Sequence, residues 1–159
     1  MKIEEARGFA VTAHGAQTYG DLPYETHLAA VVGVLSDWTD DEDLIAAAWL
    51  HDTLEDTAVR RSELGDRFGE RVANLVWAVT SEGRSRADKM AAIYNKISAE
   101  PGAALVKLAD RVANVEAAPA GSDHHQRYQH ERLGFSAAIR PHVPAYAWAR
   151  LEAAFHTPL

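Results

Sequence analysis

One imidazole and three carboxylates lie close together between His51 and Asp56, with Asp52 and Glu55 in the same stretch. The stretch directly continues an apolar helical pattern over residues 44–50. Charged groups at the end of an apolar helix lose hydration, and this loss is tolerable only if they are paired, hydrogen-bonded or bound to a cation. We therefore expect this cluster to bind a metal ion or to carry out a reaction.

The spacing within the cluster indicates a shared cavity. On a helix that turns about 100° per residue, His51 and Glu55 lie on one stripe, and Asp52 and Asp56 lie on the adjacent one. Imidazole and carboxylate ligands without a thiol suit Mn²⁺, Fe²⁺, Mg²⁺ or Zn²⁺. The mixed nitrogen and oxygen set favours Mn²⁺ or another octahedral metal over a structural zinc ion.

One helix end cannot complete a coordination sphere, so further ligands are expected from other helices. Isolated polar residues within apolar helical patterns are the best candidates. The sequence contains two of them, His27 beside Leu28 and Asp110 within the apolar run 105–112.

The remaining histidines are weaker candidates. His124, His125 and His130 form a second cluster by composition, but adjacent histidines at a helix start point in different directions and no acidic residue is spaced to help them. We expect them to face solvent. His14 falls near the edge of the predicted cavity, where an ordinary polar core or surface residue is the better interpretation.

Composition limits the class of protein. The chain has 159 residues, 47% of them apolar, which suits one domain spanning residues 1–159. The formal charge of −7 argues against nucleic-acid or anionic-membrane binding, and the absence of cysteine excludes thiolate chemistry and disulfides. No apolar stretch approaches the roughly 18 residues of a membrane span. We expect a cytoplasmic protein, and a homodimer stays open.

Every long segment shows helical spacing and none alternates with period two, so the chain is predicted to be all-α. Thr39 and Glu42 have the spacing of a capping box before the third helix, which is expected to run into the acidic cluster. Residues 18–23 are expected to form a polar loop. The predicted helices span residues 3–17, 24–38, 44–51, 62–68, 71–80, 85–99, 101–114, 123–140 and 145–155.

These motifs resemble those of a known family. His27, the pair His51-Asp52, and Asp110 are similar to the H…HD…D signature of HD-domain metal-dependent phosphohydrolases. Four segments in order resemble the hydrolase domain of the RelA/SpoT family, over roughly residues 6 to 116. These segments are Tyr24–His27, His51–Thr57, Phe68–Thr80 and Val106–Asn114. The resemblance implies a single HD-domain bundle of about eight to ten helices.

The resemblance also implies an activity, the Mn²⁺-dependent removal of the 3′-pyrophosphate from guanosine tetra- or pentaphosphate. One metal ion per active site is implied, with Mg²⁺, Fe²⁺ or Zn²⁺ as alternatives. By position, Glu55 and Asp56 match the pair that positions and deprotonates the attacking water, and Asn114 matches a nucleotide contact, with Lys107 in the same motif. The implied metal ligands are His27, His51, Asp52 and Asp110.

The chain departs from the family before Tyr24. The family's alarmone hydrolases usually carry a basic stretch there, with an arginine that packs on the guanine. This chain has residues 16–21 without a positive charge, and only the ring of Tyr19 could stack on a base. The phosphate-binding charge must then come from elsewhere, and the candidates are Arg84, Arg86, Lys89, Lys96 and Arg127.

The departure leaves the substrate open. An adenine alarmone, or another nucleotide such as NADPH with its 2′-phosphate, is an alternative to guanosine tetraphosphate. A non-catalytic nucleotide-binding or antitoxin-like HD domain is the non-enzymatic alternative. Such a domain would be expected to lack a metal ligand, and none is missing from this sequence.

Overall fold

The computed structural model describes residues 1–156, and regular structure in that part of the chain is almost entirely helical. The all-α prediction is confirmed. The helices are α1 Lys2–His14, α2 Glu25–Ser36, α3 Glu42–Leu50, α4 Thr53–Asp56, α5 Arg61–Phe68, α6 Glu70–Val79, α7 Arg86–Ala99, α8 Ala103–Ala117, α9 Asp123–Ile139 and α10 Ala145–Phe155. A 3₁₀ turn, Arg140–His142, joins α9 to α10.

Helix α8 is central to the bundle and packs against α2, α3, α6, α9 and α10. Most of its residues are buried, as expected for a helix that is apolar on nearly all sides. Asp110 and Arg111 lie on this helix and are only 8% and 2% exposed. Because charges are costly to bury alone, both residues need partners within the protein.

Helix α3 is buried along its whole length from Leu44 to Leu50. Its N-cap is Asp41, whose Oδ1 accepts hydrogen bonds from the backbone N–H groups of Asp43 and Leu44. The predicted Thr39–Glu42 capping box is therefore wrong, because the hydroxyl of Thr39 instead accepts from the backbone N–H of Asp41.

The third helix was expected to run into the acidic cluster, but α3 ends at Leu50, just before it. The hydroxyl of Thr53 donates to the carbonyl of Leu50 at 2.7 Å, and Nδ1 of His51 lies 2.8 Å from the carbonyl of Ala48. These side chains satisfy the carbonyls that a continuing helix would have bonded. The chain turns at His51 and Asp52 and resumes as the short helix α4.

The segment between α1 and α2 was predicted as a loop and contains a small antiparallel hairpin. Strands β1 Thr18–Tyr19 and β2 Leu22–Pro23 pair, with Tyr19 opposite Leu22. Helix α1 ends at His14, three residues earlier than predicted, because Gly15 adopts a φ of 54°. The hairpin therefore follows α1 after a turn at residues 15–17 and leads into α2.

None of the helices within residues 1–156 combines the length and apolar character that a membrane crossing requires.

Candidate active site

Four of the predicted metal ligands converge, although they come from α2, the α3–α4 turn and α8. Nε2 of His51 lies 3.0 Å from Oδ2 of Asp52 and 3.6 Å from Oδ1 of Asp110. Nε2 of His27 lies 3.2 Å from the same Asp110 oxygen and 3.7 Å from Oδ2 of Asp52. Donor atoms of His27, His51 and Asp52 all lie within 4.8 Å of one another.

The side chain of His51 is suited to bind a metal ion. Its Nδ1 must carry a proton, because the Ala48 carbonyl beside it can only accept a hydrogen bond. Its Nε2 is buried and makes no hydrogen bond to any residue in the described range 1–156. A fixed tautomer with an unsatisfied inner nitrogen is the arrangement found in metal-binding histidines. The residues present therefore fit a divalent cation.

The electrostatics of the cluster also call for positive charge. Burial opposes ionisation of Asp52, but the positive charge of a doubly protonated His51 outweighs burial and lowers the pKa of Asp52 to about 2. A bound cation would take the place of the Nε2 proton of His51. Burial likewise opposes ionisation of Asp110, but Lys107 and the two imidazoles hold its pKa well below its ordinary value. Both carboxylates are thus anionic at neutral pH, a charge that a divalent cation can balance.

A second layer of side chains orients the carboxylates. The hydroxyl of Tyr24 donates to Oδ2 of Asp52 at 2.5 Å. Lys107 donates to Oδ2 of Asp110, and the amide of Asn114 donates to Oδ1 of Asp110, both at 2.8 Å. Lys107 and Asn114 were predicted as substrate contacts, and both line the pocket described below while also holding Asp110.

Tyr19 was predicted as a platform for a nucleotide base. Its ring stacks on that of His27, with ring centres 4.7 Å apart and planes inclined by 16°. Its hydroxyl donates to Oδ1 of Asn114 at 2.8 Å. One face of the Tyr19 ring is therefore covered by His27, and its hydroxyl is already hydrogen-bonded to Asn114.

The two predicted catalytic acids differ in their surroundings. Oε1 of Glu55 accepts a hydrogen bond of 2.7 Å from the backbone N–H of Ser81, just beyond α6, and Glu55 lines the pocket. Asp56 lies outside the pocket lining, and its Oδ2 accepts from the side-chain amide of Gln17 at 3.0 Å. Burial, followed by the charges of Asp52 and Glu55, raises the pKa of Asp56 despite that hydrogen bond.

A cavity of about 190 Å³ opens beside the cluster of His27, His51, Asp52 and Asp110, between the hairpin, α7, α8 and α9. Its wall combines apolar side chains of Val79, Met90 and Ile93 with the ring of Tyr128. Four cationic residues line the same cavity, namely Arg86, Lys89, Lys107 and Arg111. A pocket with acidic metal ligands at one side and cations elsewhere suits a phosphorylated molecule.

Two of these cations share one carboxylate. Nη2 of Arg111 lies 2.8 Å from Oε2 of Glu131, and Nε of Arg86 lies 2.8 Å from Oε1 of Glu131. The two arginines hold the pKa of Glu131 below its ordinary value, although burial opposes this. The trio joins α7, α8 and α9 at the wall of the pocket.

Several residues considered from the sequence do not reach this pocket. Arg127, predicted as a substrate contact, is exposed and absent from the lining, because its neighbour Tyr128 occupies the inner side of α9. Lys96 donates to the carbonyl of Thr80 and pairs with Glu82 instead. Arg84 is exposed and also outside the lining. His124 and His130 face solvent as predicted, and His125 is half-buried.

The sequence pattern of the HD domain family matches residues 6–136, which is most of the chain. The chain belongs to the HD domain family. This confirms the fold class and agrees with the resemblance that its motifs indicated.

Two relatives of this HD domain are large proteins. It is 40% identical over 122 residues to the guanosine-3′,5′-bis(diphosphate) 3′-pyrophosphohydrolase of Aquifex aeolicus, covering 72% of this chain and 17% of that protein. It is 33% identical over 163 residues to a GTP pyrophosphokinase of Myxococcus xanthus, and this match covers 94% of this chain and 21% of that protein. The chain therefore spans about a fifth or less of the length of these relatives.

A solved structure matches the HD domain along nearly its whole length. It is that of a metazoan ortholog of SpoT, which hydrolyses ppGpp and plays a role in starvation responses. The TM-score is 0.76 at 25% identity, and the match covers 98% of this chain and 94% of the other. The predicted relationship to the SpoT and RelA hydrolases is confirmed.

The sequence did not indicate every residue that shapes the site. Tyr24 was part of a recognised motif but had no assigned role, and Ser81, Glu131 and Gln17 were not considered. Ser81 contributes only its backbone N–H, for which side-chain type carries no signal. Glu131 lies in a polar stretch of α9, where a carboxylate is indistinguishable from a solvent-facing one.

Proposed function

We propose that this HD domain hydrolyses the 3′-pyrophosphate of guanosine tetra- or pentaphosphate, giving GDP or GTP and pyrophosphate. One observation carries the proposal: two imidazoles and two carboxylates converge at one side of a pocket that four cationic side chains also line. The name of the relative from Aquifex aeolicus and the description of the metazoan ortholog of SpoT support the same substrate.

The proposed metal ligands are His27, His51, Asp52 and Asp110. Two nitrogen and two or more oxygen donors, with no sulfur, suit Mn²⁺, which is the ion that we propose. When bound, such an ion would draw charge off the phosphoryl oxygens and make water more acidic. The unpartnered Nε2 of His51 is the strongest support for a cation here.

Glu55 is the proposed general base. Its Oε1 is held by the N–H of Ser81, and its Oε2 accepts no hydrogen bond from any residue in the described part of the chain. A carboxylate held at one oxygen offers the other in a fixed direction, which favours proton transfer from a water molecule in the pocket. Asp56 follows Glu55 directly in the chain but lies outside the pocket lining, and we propose that it helps to orient that water through its Oδ1.

The cations of the pocket are proposed to bind the phosphates. Arg86 and Arg111 can share charge with a diphosphate while Glu131 keeps them in place, and Lys89 adds a further cation. In the reaction one water molecule adds to the phosphorus that is bonded to the 3′-oxygen, the bond between them breaks, and the 3′-oxygen takes up a proton to become the ribose 3′-hydroxyl. Cationic side chains stabilise the negative charge on the diphosphate oxygens in the transition state.

Product analysis tests the proposal. The purified protein with Mn²⁺ is incubated separately with ppGpp, its adenine counterpart and NADPH, and released pyrophosphate and orthophosphate are measured. We expect pyrophosphate from ppGpp and no release by Asp52→Ala. Orthophosphate from NADPH without pyrophosphate from ppGpp would overturn the proposal, and so would full activity of Asp52→Ala.

The adenine counterpart addresses the choice of base. Tyr19 is engaged with His27 and Asn114, and the hairpin segment 16–21 provides no cation to pack on guanine. Faster pyrophosphate release from the adenine compound than from ppGpp would support the proposed reaction but would identify adenine as the preferred base.

A further inference from the structure

A directed hydrogen-bond chain runs from the buried end of α1 to Asp56. Nδ1 of His14 lies 2.9 Å from Oε1 of Gln17, and Nε2 of Gln17 donates to Oδ2 of Asp56 at 3.0 Å. None of these three residues is a proposed metal ligand. His14 is 7% exposed, and Gln17 belongs to the turn between α1 and the hairpin.

The chemistry of the groups fixes the direction of this chain. The carboxylate of Asp56 only accepts, so the amide of Gln17 must present its NH₂ to Asp56 and its oxygen to His14. That oxygen also only accepts, so Nδ1 of His14 must carry a proton. His14 thereby prevents the Gln17 amide from flipping, which would place oxygen against oxygen at Asp56.

The backbone around Gln17 is also held. Its N–H donates to the carbonyl of His14 at 3.0 Å, and its carbonyl accepts from the N–H of Tyr24 at 3.1 Å. The His14 ring packs against the ring of Tyr24, with centres 4.6 Å apart. Gln17 is therefore anchored at both its backbone and its side chain, whereas Asp56 is an exposed residue at the end of a four-residue helix.

We infer that Gln17, fixed by His14, is a positioning residue that holds Oδ2 of Asp56 and leaves Oδ1 to orient the attacking water. Oδ1 accepts no hydrogen bond from any described residue between positions 1 and 156. The inference rests on the proposed function, because it assigns a role within the same reaction. An exposed aspartate can adopt several rotamers, and one fixed rotamer lowers the entropy lost on reaching the reactive geometry.

The first test replaces Gln17 by a residue of similar length that cannot donate. Losing a hydrogen bond to a charged group should lower kcat of Gln17→Met about tenfold. KM and Mn²⁺ affinity should stay within about twofold, because the substrate and metal contacts are untouched. Gln126→Met is the matched control, since its side-chain amide donates to the carbonyl of Gly121 and lies outside the pocket.

The second test asks whether Gln17 acts through Asp56. In an Asp56→Ala background there is no carboxylate to position, so adding Gln17→Met should lower kcat no further. His14→Asn keeps a donor near the position of Nδ1 and should retain most activity, whereas His14→Phe should behave like Gln17→Met. Melting curves establish that each variant is folded.

The outcomes separate the inference from the function on which it rests. If the wild-type protein releases pyrophosphate and Gln17→Met matches it, the positioning role is wrong and the function stands. An equal loss in the presence and absence of Asp56 would also overturn the role, because it would indicate a general structural effect. A wild-type protein that releases no pyrophosphate would overturn the proposed function, and the catalytic role of Gln17 with it.

Discussion

The hydroxyl of Tyr24 donates to Oδ2 of Asp52, the same oxygen that lies 3.0 Å from Nε2 of His51. Burial and the charge of Asp52 raise the pKa of Tyr24, so the hydroxyl keeps its proton and remains a donor throughout the physiological pH range. Because the hydrogen bond from Tyr24 orients the carboxylate of Asp52, this carboxylate needs less reorganisation when a cation binds.

Tyr24→Phe should therefore weaken Mn²⁺ binding by about tenfold while leaving the fold intact, because only the hydroxyl that orients Asp52 is lost. Calorimetric titration of the metal-free protein measures this affinity. Tyr146→Phe is the control, since the hydroxyl of that exposed residue donates to the carbonyl of Trp38 at 3.3 Å, outside the pocket. Equal Mn²⁺ affinity of Tyr24→Phe and the wild type would contradict the role of Tyr24.

Glu55→Gln should lower kcat for ppGpp by at least about 100-fold, because an amide cannot take a proton from water. The oxygen of the new amide can still accept the hydrogen bond from the N–H of Ser81. Mn²⁺ affinity should be unchanged, because Glu55 is not a proposed metal ligand. Initial rates and metal titrations separate the two properties. Glu4→Gln, on the exposed first turn of α1, should match the wild type. If Glu55→Gln lost Mn²⁺ affinity by a factor comparable to its loss of kcat, Glu55 would instead be a metal ligand.

Glu131→Ala should destabilise the protein by about 3 kcal/mol, because the buried guanidinium of Arg111 loses its carboxylate partner. Urea unfolding curves give the change in free energy of unfolding. The pair of Glu116 and Arg150 is a matched control, since both side chains are partly exposed. Glu116→Ala should cost less than about 1 kcal/mol, and a similar cost for the two variants would contradict the prediction.

The N-cap of α3 gives a pH-dependent prediction. Hydrogen bonds from Arg71 and the backbone outweigh burial and lower the pKa of Asp41 to about 2. A carboxylate whose pKa is lower in the folded than in the unfolded state stabilises the fold above the unfolded value, and this contribution disappears as the pH falls through the folded value. The stabilisation should thus be complete near neutral pH and lost progressively below about pH 4.

Thermal melting of Asp41→Asn and the wild type between pH 2 and pH 7 measures this contribution. Asparagine keeps the N-cap but removes the charge, so the wild type should melt higher at neutral pH and most of the difference should be lost by pH 2. Asp40→Asn, at the preceding exposed position, is the control. A difference that persists unchanged at the lowest pH would show that charge is not its cause.

The convergence of the four proposed metal ligands could be anticipated, because their residue types are rare in apolar helices. His27 and Asp110 each interrupt an apolar pattern, and such interruptions are costly unless they serve a purpose. The helical fold was predictable for a similar reason, since its hydrophobic spacing is strong. The exact course of the chain at His51 was not, because the side chain of Thr53 competes with the backbone for the same carbonyl.

The polar residues that support the site from other helices and turns could not be predicted. Glu131 pairs with Arg86 across 45 residues, and Gln17 reaches Asp56 across 39 residues. Nothing in the local sequence distinguishes these polar residues from solvent-facing ones, since their importance depends on which helices pack together. Arg127 illustrates the opposite error, because a charge near the right position lies on the wrong side of α9.

The hydrogen bond between Tyr19 and Asn114 spans 95 residues of chain and joins the hairpin to α8. Because α8 is the centre of the bundle, this contact forms only when the helices have assembled around it. A fragment that lacks either the hairpin or α8 therefore cannot carry a complete site. Metal affinity should accordingly report cooperative folding of the whole bundle, and it should be lost in the same transition that unfolds the helices.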